Sequence, residues 1–153
     1  MKVELLSPSV LDESPIWLVC IGNVRLGINC NRQWCIDVNG KERLVLTPDD
    51  TMPMLPLLEV RRERFFEHLN LFESERGSSL GMAESFPTSL LLRFAFESSF
   101  SEYWPLKALD WIDGEQAIDP KVRESLRRMS EQRWVTQKLK QLVKKKIGKI
   151  KTD

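Results

Sequence analysis

The chain has 153 residues, 42% apolar and 29% charged, with a formal net charge of +1. That length predicts one domain able to bury roughly 70% of its unfolded surface without disulfide or metal staples. The composition excludes a low-complexity chain, no run of about 18 apolar residues is present to span a membrane, and "MKVELLSPSV" is too polar for a signal peptide.

The first part reads as strands. "PIWLVCI" ends at Gly22-Asn23, "VRLGIN" leads into the polar "CNR", and "QWCIDV" runs through Asn39-Gly40 into "KERLVL". Asn-Gly between two such runs is the strongest short-range hairpin signal, because a type I′ turn needs positive φ at both central positions. A four-stranded antiparallel meander is the economical topology. Val24, Leu26 and Ile28 alternate with Arg25, Gly27 and Asn29, and Trp34, Ile36 and Val38 alternate with Gln33, Cys35 and Asp37. Gly27, inside a strand, marks a bulge. Cys20, Cys30 and Cys35 are odd in number, which argues against a disulfide framework. They read as three small buried hydrophobes in a reducing compartment, and the cytoplasm is the expected location.

"TPDDTMPMLP" reads as a proline-punctuated connection. The period then becomes helical: Leu58, Phe65, Leu69 and Phe72 share one side, and Gly77 stops the run. "GSSLGMAES" reads as a loop. A second helix follows Pro87, with Leu90, Leu91, Phe94 and Ala95 as its stripe. A third opens with capping-box spacing at Ser99 and Glu102, buries Trp104, Ala108, Trp111 and Ile112, and ends at Gly114. Asp119-Pro120 supplies the N-cap and first-turn proline of a fourth, long helix. Strands first and helices after is the α+β pattern, here a four-stranded antiparallel meander followed by about four helices, the last long, amphipathic and basic.

Charge is unevenly spread. Residues 121–153 carry twelve Lys and Arg against three Asp and Glu, a net of +9, whereas residues 1–120 carry eleven against nineteen, a net of −8. The chain therefore reads as an acidic α+β body, 1–120, and a basic helical end, 121–153, of one domain. Val135, Leu139, Leu142, Val143, Ile147 and Ile150 fall within a sector of about 140°. Most of the lysines, Lys138, Lys140, Lys144, Lys145, Lys149 and Lys151, lie on the rest of the circumference, and Lys146 intrudes on the apolar side. Val122, Leu126 and Met129 use a face about 90° away, so the helix either wraps its contact or bends near Arg133-Trp134. Three roles are open to this end: docking on its own body, binding nucleic-acid phosphates, or meeting a protein or membrane partner.

Catalytic chemistry has little to stand on. His68, the single histidine, reads as structural beside Arg62 and Arg64. "GNVRLG" is neither a dinucleotide fingerprint nor a P-loop. Asp110 and Asp113 read as solvated acids at a helix end. Cys30 and Cys35 have no second ligand pair, so no metal and no cofactor are expected. "RRERFF", with Arg61, Arg62 and Arg64 among Glu59, Glu63 and Glu67, reads as an ion-paired face. Tyr103 next to Trp104 diverges from it by 100° and lies among Glu97, Glu102, Asp110 and Asp113, the pattern of a protein-binding hot spot. The expected function is non-catalytic protein binding, as in a small intracellular inhibitor, immunity or adaptor protein whose acidic body steers toward a basic partner. Nucleic-acid binding through Lys138, Lys140, Lys144, Lys145 and Lys149 is the alternative, and an enzyme with a site assembled from distant residues is third.

Overall fold

A computed structural model describes residues 2–7, 14–75, 77, 80–112 and 118–149, with side chains to residue 147 in the last stretch. The chain forms two compact units, Met1–Pro87 and Thr88–Asp153. The change of charge at residue 120 falls inside the second unit.

The first unit is built on five antiparallel strands in sequential order: β1 (Val3–Leu5), β2 (Ile16–Ile21), β3 (Val24–Ile28), β4 (Trp34–Val38) and β5 (Lys41–Leu44). The expected four-stranded meander is β2–β5, and the fifth strand is the correction. β1 has three residues, too few for alternation to declare itself. It exists because Val3, Glu4 and Leu5 pair with Ile21, Cys20 and Val19. Asn39 and Gly40 have φ of 54° and 86°, as a type I′ turn requires. The Asn23 and Asn39 side chains hydrogen-bond to each other across neighbouring turns.

The register separates the two faces. Val3, Ile21, Val24 and Val38 align across one face, as do Leu5, Val19, Leu26 and Ile36. The opposite face carries the row Glu4, Cys20, Arg25, Asp37 and Glu42. There the Arg25 guanidinium donates to the Asp37 carboxylate and lies 4.6 Å from the Trp17 ring centroid. A bulge in β2 between Trp17 and Val19 lies opposite Gly27 on β3.

The connection after β5 is a 3-10 helical segment, Pro48–Glu59, whose three prolines remove donors that an α-helix would use. The Asp50 carboxylate closes its start, accepting from the backbone N–H groups of Leu46 (3.0 Å) and Thr47 (2.9 Å). Those bonds, led by the one from Leu46, hold the Asp50 carboxyl below its ordinary range.

Helix α1 (Arg62–Glu75) buries Phe65, Leu69 and Phe72 as its period demands, but Leu58, expected in the same stripe, is buried from the 3-10 segment because extended Val60 interrupts the run, and Gly77 follows α1 with φ of 59°. The "GSSLGMAES" stretch, expected as a loop, contains the single-turn helix α2 (Met82–Ser85). A Glu73 carboxylate oxygen on α1 accepts from the Met82 N–H at 2.6 Å, a tie that local propensity does not announce. Phe65, Phe66 and Phe86 then meet edge to face, with Phe65–Phe86 centroids 4.7 Å apart. Trp34 joins them from β4 at 5.0 Å from Phe86, and its indole N–H donates to Ser85 Oγ at 3.0 Å.

The second unit is helical: α3 (Thr88–Ser98), α4 (Tyr103–Asp110), α5 (Pro120–Ser130) and α6 (Gln137–Lys149). Among the described residues six α-helices replace the four expected, through α2 and through division of the last helix. α3 packs on α4 and α5, and α6 packs on α5 and α4. The stripe of α3 is Leu91, Leu92, Ala95 and Phe96, rotated from the expected set because this helix is apolar around most of its circumference. Asp119 caps α5 as expected, accepting from the Lys121 N–H at 2.7 Å. Ser99 does not cap α4. Its hydroxyl donates back to the Ala95 carbonyl at 2.6 Å and finishes α3 instead. α4 ends at Asp110, ahead of the expected stop at Gly114, which lies outside the described residues, so Trp111 and Ile112 are buried just beyond the helix rather than on its face.

The long basic helix is broken between Ser130 and Gln137. Thr136 Oγ1 accepts from the Leu139 N–H at 3.1 Å and restarts the helix. The break resolves the 90° mismatch in apolar phase: α5 buries Val122, Leu126 and Met129, and α6 buries Leu139 and Val143, each in its own orientation.

Candidate functional site

Two surfaces of the second unit hold the residues singled out from sequence. The first is the corner between α3 and α4. Ser99 closes one helix, and the Glu102 carbonyl accepts from the Leu106 N–H at 2.9 Å to start the next. Between these fixed points Phe100 is turned outward and is 87% exposed. Tyr103, at the start of α4, is 48% exposed. Its ring meets that of half-buried Trp104 edge to face at 4.9 Å, and Lys107 Nζ lies 5.7 Å from its centroid. Glu102 is exposed beside it, and exposed Asp110 lies two turns along the same face of α4.

Glu97 is differently placed. One of its carboxylate oxygens accepts from the Ser125 hydroxyl at 2.7 Å, and the group pairs with Arg93 at 3.8 Å and Arg128 at 3.7 Å. It joins α3 to α5 and is occupied there, whereas Tyr103, Glu102 and Asp110 stand on the outer side of α4. Asp113 lies outside the described residues. Phe100 was missed. Its signal was weak: an aromatic residue among Ser98, Ser99 and Ser101, off the period of either helix.

The second surface is the outer side of α6. Lys138, Lys144 and Lys145 are exposed, and Lys140 is half-buried. Leu142, expected in the buried stripe, is 37% exposed, because Leu139 and Val143 take the contact with the unit. The Lys149 side chain and Lys151 lie outside the described residues. Two cations of α5 are ion-paired: Arg127 with Glu124 and Glu131, and Arg128 with Glu124. Hydrogen bonding from Arg127 is the main reason the Glu124 carboxyl is held down to about 2. Among the described residues, no carboxylate stands within ion-pair distance of Lys138, Lys140, Lys144 or Lys145.

The groups with catalytic potential lie in the first unit. His68 Nε2 is 3.3 Å from the carbonyl of Leu18, at the bulge of β2, and burial pushes the imidazole below its ordinary pKa. Among the described residues, no cluster of three or more His, Cys, Asp or Glu is arranged to hold a metal ion. The cysteines, expected as three buried hydrophobes, divide instead: Cys35 is buried, Cys20 is half-buried and Cys30, in the turn after β3, is exposed. Burial, helped by the charges of Glu42 and Asp37, pushes the Cys35 thiol up to about 11. Alkylation at pH 8 should therefore label Cys30 first and Cys35 only after unfolding. Peptide mapping by mass spectrometry gives the order, and early labelling of Cys35 would contradict its burial.

No protein-family model matches the chain, and comparison with the curated proteins and the solved structures finds no significant match.

Proposed function

We propose that this chain is a non-catalytic protein-binding module of the inhibitor, immunity or adaptor kind, working in the cytoplasm and meeting its partner at the α3–α4 corner. The observation that carries this reading is Phe100, 87% exposed beside half-exposed Tyr103. Moving a phenylalanine ring out of water is worth about 2–3 kcal/mol, and in the free chain this ring forgoes it. The corner is also braced. Trp104 and Lys107 limit the motion of the Tyr103 ring, so little side-chain freedom is lost on binding. Aromatic anchors in this setting are the usual hot spots of protein interfaces.

Glu102 and Asp110 add negative charge on the same corner, which suits a partner presenting an apolar pocket edged by basic groups. The exposed thiol of Cys30 suits a reducing compartment. His68 and Cys35 are committed to packing the sheet, which supports a non-catalytic role.

The test is affinity capture from a lysate of the producing cells, with the wild-type chain and a Phe100→Ser/Tyr103→Ser variant as baits. A stoichiometric protein should come down with the wild type, and its Kd should weaken at least ~30-fold in the variant, the loss expected of a hot spot. Recovery of the same protein at equal affinity by both baits would defeat the reading, as would recovery of none.

A further inference from the structure

We infer that the outer side of α6 binds the phosphate backbone of double-stranded nucleic acid, without reading its sequence. Helix geometry gives α6 a length of about 20 Å. At 100° per residue its solvent side has an ordered layout: Gln137 and Gln141 run along the middle, Lys140 and Lys144 along one flank, Lys138 and Lys145 along the other. No acidic residue occurs between Gln132 and Thr152. In contrast to α5, where Glu124 and Glu131 pair with Arg127 and Arg128, Lys138, Lys140, Lys144 and Lys145 of α6 have no carboxylate within ion-pair distance among the described residues and are left to attract an outside anion.

Three polyanions compete for such a face. A membrane-surface helix keeps its apolar side for the acyl boundary, but here Leu139 and Val143, at the centre of that side, are buried, which leaves only its margins, Leu142 and half-buried Ile147, partly in water among the described residues. Protein interfaces are depleted in lysine at their centres, whereas protein–nucleic acid interfaces are far more positive and polar. Lysines flanking glutamine amides match the latter. Among the described residues α6 itself carries no aromatic side chain, and the aromatic residue nearest to it in sequence, Trp134, is half-buried, so a stacking platform for bases is not part of this face. Phosphate contacts without stacking or base readout mean binding that is indifferent to sequence and steeply dependent on salt.

The experiment is fluorescence anisotropy of a labelled 24-base-pair duplex of mixed sequence, titrated with the full chain between 50 and 200 mM KCl. Four lysine contacts predict a slope of log K against log salt of about −3.6, hence roughly a 150-fold loss of affinity over that range. A Lys138→Gln/Lys140→Gln/Lys144→Gln/Lys145→Gln variant, checked by circular dichroism for unchanged helix content, should bind at least ~10-fold more weakly at 50 mM salt, with a slope near zero. The Phe100→Ser/Tyr103→Ser variant should bind the duplex like the wild type, which separates this inference from the protein-binding reading. Absence of binding at 50 mM KCl would overturn it. So would equal binding by the lysine variant, or equal or tighter binding of poly-L-glutamate or of vesicles containing phosphatidylserine.

Discussion

Replacing Gly27 by alanine should cost at least about 3 kcal/mol, more than ordinary overpacking, because the obstacle is main chain. A Cβ at this position would stand 2.0 Å from the Ile16 carbonyl oxygen and 2.9 Å from the Trp17 Cα. A side chain can change rotamer to relieve such a clash, but a paired strand has to move. β2 is held by β1 on one side and β3 on the other, and its bulge presents the Leu18 carbonyl to His68. Displacing it disturbs all three. The melting temperature should fall by more than about 10 °C, on the usual conversion for a unit of this size. Gly40→Ala is the control. Nothing lies within 4 Å of its added methyl, so only the positive φ is penalised, at about 1 kcal/mol. Urea unfolding followed by tryptophan fluorescence measures both. Equal losses at the two positions would show that conformational preference, not close approach of the strands, explains Gly27.

Phe65→Ala should destabilise the chain by about 3–5 kcal/mol, the range for removing a buried phenylalanine. Phe65 is fully buried and meets Phe86 at 4.7 Å and Phe66 at 5.4 Å between centroids. Phe86 in turn packs on Trp34, so one ring couples α1 to the sheet and to the residue that ends α2. Part of the loss is the transfer of the ring to water. The remainder is the cavity, since the facing rings are fixed by other contacts and collapse only partly into the gap. Phe65→Leu keeps most of the volume and should lose less than about 1.5 kcal/mol. The same urea titration reads both variants, and similar losses for Ala and Leu would mean that edge-to-face geometry, not volume, holds this cluster.

These positions differ in how far local sequence exposes them. Gly27 is visible as a glycine inside an alternating strand, but the approach of Ile16 that makes it necessary comes from the partner strand. Phe65 follows from the spacing of Phe65, Leu69 and Phe72, whereas its contact with Phe86 depends on α2, a single turn tied down by Glu73. Glu97 and Phe100 exchange roles for the same reason. A glutamate on a helix surface looks available until Ser125 and Arg128 are brought to it. A phenylalanine looks like core until the end of α3 and the start of α4 turn it outward.

By itself the sequence determines the hairpins, the α+β order, the Asp119 cap and the amphipathic character of the basic end. Each of these rests on the dihedral preference of one or two residues or on the backbone period, and both act over a few neighbours. Only the tertiary structure decides that β1 joins the sheet, that the last helix breaks before Gln137, that Leu142 reaches water, and that Lys138, Lys140, Lys144 and Lys145 of α6 stand without carboxylates among the described residues while Arg127 and Arg128 of α5 do not. Those outcomes turn on which surfaces meet across long stretches of chain. An apolar stripe specifies that something must cover it, but not what covers it or how much of it is covered.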